Sequence, residues 1–430
     1  MLKSSDQANP SSMRTIHLLR KLDPQAWGGT EMAIQRLFDG LRNHQVTPVV
    51  YCPRVEGRNG EDLDPLVEAG HEVQRFKAFV PVLGMPRTRK RQLIAVGGNL
   101  MSFDLISSLW QEKNVALVHT HTLGRIGAIA RTFAKQRQVP FVVTIHGGVL
   151  DLPEKVKQTF NEPIKDGLEW GKLFGFLFRS NRVFQDADAV ITCNPKEAAL
   201  WNEKFPEKRV VVQPHGVDVS VYDRDCKEQA SAAFPQIRGR KILLSLGRVD
   251  PIKNQVFLLE QASEIFRNHP DTILVLAGPC TDEPYGVLVN QRIRDLGIAD
   301  RVVLTGGLPP NDPRLIGLLQ AASVLLLASL SETFGLVILE AWAAGAPVLC
   351  SGTSGARAMI RPGENGYLFD LEKPATFHQG LDETLAKPLA AKNMALSGRA
   401  QVRADYSLDA LAGRMKNLYT ELVEEKLCAS

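Results

Sequence analysis

Long apolar runs are missing from this chain of 430 residues. None approaches the ~18 residues that a bilayer-spanning helix needs, which argues against a membrane span. Cysteine is sparse: Cys52, Cys193, Cys226, Cys280, Cys350 and Cys428 are scattered, with no CxxC pair. That speaks against a zinc ribbon or a disulfide framework and fits reduced thiols in a cytosol. An excess of one charge is missing too. The formal net charge of +4 is too small over this length to suggest a nucleic-acid binder. Neither GxGxxG nor GxxxxGK[ST] occurs. Gly167-Leu168-Glu169-Trp170-Gly171-Lys172 is one residue short of a P-loop and is followed by Leu173, so a dinucleotide enzyme or a P-loop NTPase is unsupported. The polar N-terminus lacks an apolar core segment, so no signal peptide is read, and residues 1–12 are expected to form a flexible tail. The length suggests two or three domains.

What is present centres on Ser331-Glu332-Thr333-Phe334-Gly335-Leu336-Val337-Ile338-Leu339-Glu340-Ala341. The run Val324–Leu327 before it reads as a buried strand, and Gly345 and Pro347 after it read as a helix stop. The stretch is therefore a strand-to-helix turn followed by a helix of two to three turns. Gly335 lacks a Cβ and lets a ligand approach the backbone. The N–H groups of the first turn, with the helix dipole, favour an anion. Glu332 in the turn and Glu340 in the helix do not bind phosphate by charge. They suit the hydroxyls of a phosphorylated ligand that carries a ribose and a sugar. An ordinary helix with one solvated Glu and one Glu favoured by the dipole fits the same residues.

In the first half, Arg14–Leu19 reads as a strand and Gly28-Gly29-Thr30-Glu31 opens a helix to about Asn43. Ile34, Leu37, Phe38 and Leu41 share one face of that helix. Extended segments follow at 46–51, 115–121, 141–146, 189–193 and 210–212, with a short helix at 64–69. Asn194 and Pro195 supply a cap and a first position. This alternation predicts a parallel sheet covered on both faces, with ligands at the carboxyl ends of its strands. Three polar clusters fall at strand ends: His119-Thr120-His121, His146-Gly147-Gly148 and His215-Gly216-Val217-Asp218. His119 and His121, taken as alternating between faces, are not expected to share a metal. Arg87, Arg89, Lys90 and Arg91 read as a solvated surface, with contact to an anionic acceptor or lipid headgroup as the other reading. The residues Phe174, Phe176, Phe178, Arg179, Arg182 and Phe184 read as a helix packed on the sheet rather than a membrane-facing patch.

A polar stretch, about 223–240, is expected to link this domain to a second alternation. Its strands are expected near 241–246, 272–277, 301–305, 324–327 and 347–350, with a helix capped at Asp312. The first of these strands runs into Gly247-Arg248-Val249-Asp250-Pro251-Ile252-Lys253-Asn254. Arg248 and Lys253 thus leave a strand end just before a helix, where two cations suit a diphosphate.

Together these residues resemble the retaining glycosyltransferases of family GT4, which have the GT-B fold. The resemblance rests on Gly28-Gly29-Thr30-Glu31, Thr144-Ile145-His146, Gly216-Val217-Asp218, Gly247-Arg248 with Lys253-Asn254, the Glu332-to-Glu340 stretch, and Gly363-Glu364-Asn365-Gly366. It implies an α/β fold of two Rossmann-like, doubly wound parallel-sheet domains facing a cleft. The implied division is an N-terminal acceptor-side domain over 13–225, a nucleotide-sugar-binding domain over 238–406, and a C-terminal helix over 407–430 crossing back to the first. By position, Arg248 and Lys253 would hold the donor diphosphate, helped by backbone N–H groups near Phe334, Gly335 and Leu336. Glu340 would hold the ribose and Glu332 the transferred sugar. His146 would line the reaction centre, Gly29 would approach the donor phosphate, and the base would lie near Gly307 and Leu308. His121 and Gly147 would face the acceptor. The chain departs from the family pattern twice. Ser354-Gly355-Ala356-Arg357-Ala358 stands where many members carry Gly-Gly-x-x-Glu, and Gly147 follows His146 where many carry Asp.

The implied function is transfer of a sugar from a nucleoside-diphosphate sugar to a sugar, glycolipid or other small acceptor, with retention of configuration. It belongs with polysaccharide or glycoconjugate biosynthesis, with no cofactor, no metal and no nucleic-acid partner. The expected location is cytoplasmic, with peripheral contact at the inner membrane face left open. A sugar-nucleotide epimerase of the same fold and a non-catalytic sugar-nucleotide-binding subunit are the alternatives. No Asp-x-Asp lies near Arg248 or Glu332 to hold a metal beside the phosphates, and Asp186-Ala187-Asp188 precedes a strand instead of following one.

Overall fold

A computed structural model describes residues 12–22, 28–54, 64–98, 100–146 and 168–429. Residues 1–11 of the tail expected over 1–12 lie outside the described residues, as do Gly147, Gly148 and Gly167. The strands are β1 (Met13–Leu18), β2 (Val46–Pro53), β3 (Glu72–Phe76), β4 (Val82–Leu83), β5 (Leu117–Thr120), β6 (Phe141–Ile145), β7 (Leu168–Glu169), β8 (Ala189–Thr192) and β9 (Val210–Val212). Then come β10 (Lys241–Leu246), β11 (Thr272–Ala277), β12 (Val302–Gly306), β13 (Ala322–Leu327), β14 (Val348–Ser351) and β15 (Tyr367–Phe369). One sheet has the order β3-β2-β1-β5-β6-β8-β9 and the other β12-β11-β10-β13-β14-β15. All pairs within both are parallel.

The chain divides into two compact units, Met1–Pro214 with Leu408–Ser430, and His215–Ser407. Each holds one of the sheets. Their central strands are buried on both faces, as in Leu117-Val118, Val142-Val143, Leu243-Leu244 and Val324-Leu325-Leu326. That is the composition a parallel sheet needs once helices cover it on both sides. Each order reverses direction beside its first strand, at β1/β5 and at β10/β13. In such sheets the crevice outside those strand ends is where ligands bind.

The first unit is discontinuous because the last helix, Leu408–Cys428, belongs to it. Leu411, Ala412, Met415, Leu418, Tyr419 and Leu422 share one apolar core with Ile34, Leu37, Phe38 and Leu41 of the helix Gly29–Asn43. Burying a large apolar side chain contributes roughly 1.5–3 kcal/mol relative to exposure. That is an upper figure, since the unfolded chain is partly collapsed. The two helices approach closely at Gly40, where a Cβ would lie 2.6 Å from the carbonyl oxygen of Leu408.

Four readings change. The expected linker is packed structure: a helix over Lys227–Ala233 buries Ala230, and Cys226 and Ile237 are buried beside it. Its polar composition reflects only the solvent side of a short helix. The break between units falls at Pro214, so the His215–Asp218 cluster lies in the second unit. Strand β3 carries Glu72, Gln74 and Arg75 and gave no apolar signal, because it is a sheet edge. The aromatic segment near residue 174 is only half packed. Val183 and Phe184 are buried, whereas Leu173 and Phe176 of the helix Lys172–Leu177 are exposed.

Candidate functional site

In the second unit the loops after β10 and β13 leave neighbouring strands at the switch point. Asp250 organises the first loop. Its Oδ1 accepts the backbone N–H groups of Ile252 and Lys253, both at 3.0 Å, while its Oδ2 lies 3.1 Å from Arg248 Nη2. One buried carboxylate thus sets the direction of both cations. Arg248 is more than half exposed, at 55 %, but Lys253 is largely covered, at 19 %. The Lys253 ammonium is hydrogen-bonded to Glu332 Oε2 of the second loop. The two residues expected to hold diphosphate and sugar therefore hold each other. Partial burial makes this ion pair worth more than a solvated one, because less water screens it.

The second loop is fastened from behind. Gly335 sits at φ +89°, in the left-handed region, and caps the helix Leu336–Ala344. Its conformation turns the chain so that the first helical turn, at Leu336 and Val337, follows directly on Glu332–Phe334. The Glu332 carbonyl oxygen accepts the Gly355 N–H at 2.8 Å and the Ser354 hydroxyl at 3.3 Å. The Ser354-Gly355 departure from the family pattern thus still secures the loop. A Cβ on Gly355 would lie 2.5 Å from the Phe334 carbonyl oxygen, so only glycine fits. Phe334 is buried and makes edge contacts with His215, centroids 5.0 Å apart, and with Tyr406. Burial, and after it the Glu332 carboxylate, push the Cys350 thiol well above its ordinary range, so that thiol is inert. Glu340 is half-buried one turn inside the helix, and Leu308 is half-buried after β12. Beside it a cavity of about 280 Å³ opens at the ends of β11 and β12, lined by Gly278, Cys280, Glu283, Asn290 and Gly306. A larger one, about 650 Å³, lies between helices Gln255–Asn268 and Pro374–Ala386 and is lined by none of the residues expected to hold the donor.

In the first unit the strand ends bring histidines together. His121 Nδ1 lies 2.8 Å from His146 Nε2, and His121 Nε2 lies 3.1 Å from His17 Nδ1. His119 bridges Tyr419 Oη and Thr144 Oγ1, each at 2.6 Å. His119 and His121 are two residues apart, so they share a face, and their rings stack with centroids 4.2 Å apart. They do not alternate between faces, contrary to the expectation from the sequence. Ring nitrogens of His17, His119 and His121 lie within 4.8 Å of one another, the one such group among the described residues. Burial, then the neighbouring His121, hold His17 well below the usual histidine range. Burial, then His17, do the same to His119. Gly29 is exposed at the start of its helix, which Glu31 caps by accepting the Gly28 N–H at 3.1 Å.

Asp186-Ala187-Asp188 serves structure, as does Asp223 of Asp223-Arg224-Asp225. Asp186 bonds Arg131, Lys135 and Arg182. Burial pushes its carboxyl up, but those cations outweigh this and hold it well below the usual range. Asp188 accepts the Phe141 N–H at 2.7 Å, and Asp223 pairs with Arg399 and Arg403. Sequence reasoning did not single out His17, Asp250 or Tyr419. An Asp two residues beyond Arg248 was a readable signal for a loop-organising turn. His17 gave none, because a histidine inside a strand means nothing until its neighbours are known.

Two parallel-sheet α/β units with these switch-point loops define a GT-B architecture, and known proteins agree. HepE of Anabaena, solved with UDP and glucose, superposes with a TM-score of 0.71 at 17% identity over 95% of this chain and 100% of that one. A sucrose-phosphate synthase from Thermosynechococcus elongatus gives 0.71 at 21% identity over 97% and 100%. A model of glycosyltransferase family 4 matches residues 27–221, and one of the group 1 glycosyl transferases matches residues 227–401. The D-inositol 3-phosphate glycosyltransferase of Thermobispora bispora is 28% identical over 329 residues, 74% of this chain and 73% of that protein. The one from Acidothermus cellulolyticus is 28% identical over 64% of this chain and 61% of that protein. The chain belongs to the GT4 glycosyltransferases of the GT-B fold.

Proposed function

We propose that this protein moves a sugar from a nucleoside-diphosphate sugar to a small acceptor with retention of anomeric configuration. The observation that carries the reading is the Lys253–Glu332 pair beside Arg248 and the Gly335 helix start, all at one switch point. A donor exchanges that pair for itself. Its diphosphate takes Lys253 and Arg248, with the N–H groups at Phe334, Gly335 and Leu336. Its sugar hydroxyls take Glu332, and its ribose takes Glu340. The base occupies the strand ends near Leu308. Gly29 serves the donor phosphate, His146 the reacting sugar, and His121 and Gly147 the acceptor side. Charge on the departing diphosphate then meets preorganised cations and a helix end, an electrostatic catalysis that works without a divalent metal. In this reading Glu332 is engaged by the sugar hydroxyls, so no carboxylate is assigned as nucleophile and front-face displacement is favoured.

HepE makes UDP the first nucleotide to try, and the inositol-phosphate relatives make D-inositol 3-phosphate one acceptor to try. The test is a thermal-shift panel of UDP, GDP, ADP and their sugars, followed by NMR of the anomeric proton in the product. A ligand at 100 times its Kd adds about 2.7 kcal/mol, which such a panel resolves. An inverted anomer refutes retention. Conversion of the donor sugar without an acceptor favours an epimerase, and binding without turnover favours a non-catalytic subunit. No helix among the described residues is long and apolar enough to cross a membrane.

A further inference from the structure

The histidines of the first unit form more than a cluster. Thr15 Oγ1 lies 3.0 Å from His17 Nε2, His17 Nδ1 lies 3.1 Å from His121 Nε2, and His121 Nδ1 lies 2.8 Å from His146 Nε2. The ring centroids are 5.4 Å apart for His17 and His121, and 5.0 Å apart for His121 and His146, with interplanar angles of 21° and 22°. Each separation exceeds its N···N distance by about one ring width, the spacing of near-coplanar rings joined edge to edge along an N–H direction. Thr15 and His17 are fully buried, and His121 is nearly so.

A neutral imidazole has one N–H and one lone pair, so each ring in such a row both donates and accepts. If Thr15 donates to His17 Nε2, His17 carries its proton on Nδ1 and donates to His121. His121 then carries its proton on Nδ1 and donates to His146 Nε2, which leaves the His146 proton on Nδ1. Reversed, His146 donates from Nε2, His121 from Nε2, and His17 from Nε2 to the Thr15 oxygen. In both directions all three rings share one tautomer. A mixed pair would set two lone pairs or two protons face to face, which a buried site does not tolerate. His119 lies outside this row. It stacks on His121, and its own nitrogens go to Tyr419 and Thr144.

We propose that Thr15, His17 and His121 form a head-to-tail chain that ties the proton position on His146 to the tautomers of His17 and His121 and to the Thr15 hydroxyl, making Thr15 and His17 positioning residues for that ring. The catalytic part rests on the assignment of His146 to the reacting sugar. The chain, with His119 bonded separately to Tyr419 and Thr144, also accounts for the proximity of His17, His119 and His121 without a metal. Each ring nitrogen of the three already has a hydrogen-bond partner within 3.1 Å, and a metal ion would have to displace those bonds.

Long-range 1H–15N NMR of the full chain labelled at histidine tests this directly, with His119 as the internal reference. The expected result is one shared tautomer for His17, His121 and His146. Thr15→Val is nearly isosteric and should shift the 15N resonances of all three while leaving His119 in place. It should lower kcat about two- to tenfold, the size of one net hydrogen bond, with donor KM unchanged. Thr15→Ser should restore both. Mixed tautomers in the parent protein overturn the chain, as do shifts confined to His17 or a stoichiometric zinc found by metal analysis. The parent spectrum decides the matter even if Thr15→Val does not fold. Shared tautomers with a parental kcat in Thr15→Val overturn the positioning role and the assignment of His146, while the chain stands.

Discussion

Replacing Gly355 by Ala is expected to loosen the loop that carries Glu332 and Phe334. The added methyl would sit 2.5 Å from the Phe334 carbonyl oxygen, 2.6 Å from its carbonyl carbon and 2.7 Å from its Cα. Carbon atoms pack best at ~3.5–4.0 Å, so the two backbones must part by about 1 Å. No flexible side-chain end is there to yield. The movement stretches the 2.8 Å bond from Gly355 N–H to the Glu332 oxygen. Overpacking of this kind costs about 1–3 kcal/mol. A unit of this size then melts about 2–12 °C lower. A misplacement of ~1 Å in a binding loop can cost on the order of a hundredfold in rate, so donor binding and turnover should fall further than stability alone explains. Gly345→Ala is the control. It sits at φ +84° with nothing within 4 Å of its added Cβ, so it strains the backbone without pushing on the loop. Its cost is roughly 1–2 kcal/mol. Differential scanning calorimetry gives the two stabilities, and titration calorimetry with the best nucleotide of the panel gives the affinities. If Gly355→Ala melts lower yet binds that nucleotide as tightly as Gly345→Ala does, the claim that Gly355 holds the donor loop is refuted.

Lys253→Met should weaken donor binding about 10- to 100-fold, the range for a lost bond to a charged group. Arg248→Ala, at an exposed position, should cost about fivefold; parental kcat/KM in both variants would remove the diphosphate role. Activity should survive excess EDTA, and loss on chelation with recovery on Mg²⁺ or Mn²⁺ would overturn the metal-free account of leaving-group stabilisation. The first unit should lose stability in mild acid. His17 and His119 stay neutral when folded because burial lowers both, whereas the unfolded chain takes up protons near pH 6.5. Their contribution is therefore complete above that pH and is lost as pH falls below it, by up to about 2.7 kcal/mol per pH unit for the two together. Urea midpoints that do not differ between pH 7.5 and 5.5 would contradict this.

The sequence alone determined what repeats along the chain. Strand and helix alternation, the caps at Asn194 and Asp312, and the apolar face of Gly29–Asn43 were legible because each depends on residues a few positions apart. So were the loop residues Arg248, Lys253 and Glu332, which follow strand ends in a parallel sheet, and Glu340 in the helix after the last of them. Only the tertiary structure decided which of those loops are neighbours and what they hold. Lys253 and Glu332 are 79 positions apart, and their pairing follows from β10 lying beside β13. Gly355 showed in the sequence only as part of a departure from the family pattern, and the backbone of Phe334 against it is a tertiary contact. The histidine row joins β1 and the ends of β5 and β6, and Tyr419 reaches the adjoining His119 from the last helix, 300 positions away. Local pattern fixes the period of an element and the face it buries. Contacts across a sheet depend on strand order, and strand order is set by burial of the whole core.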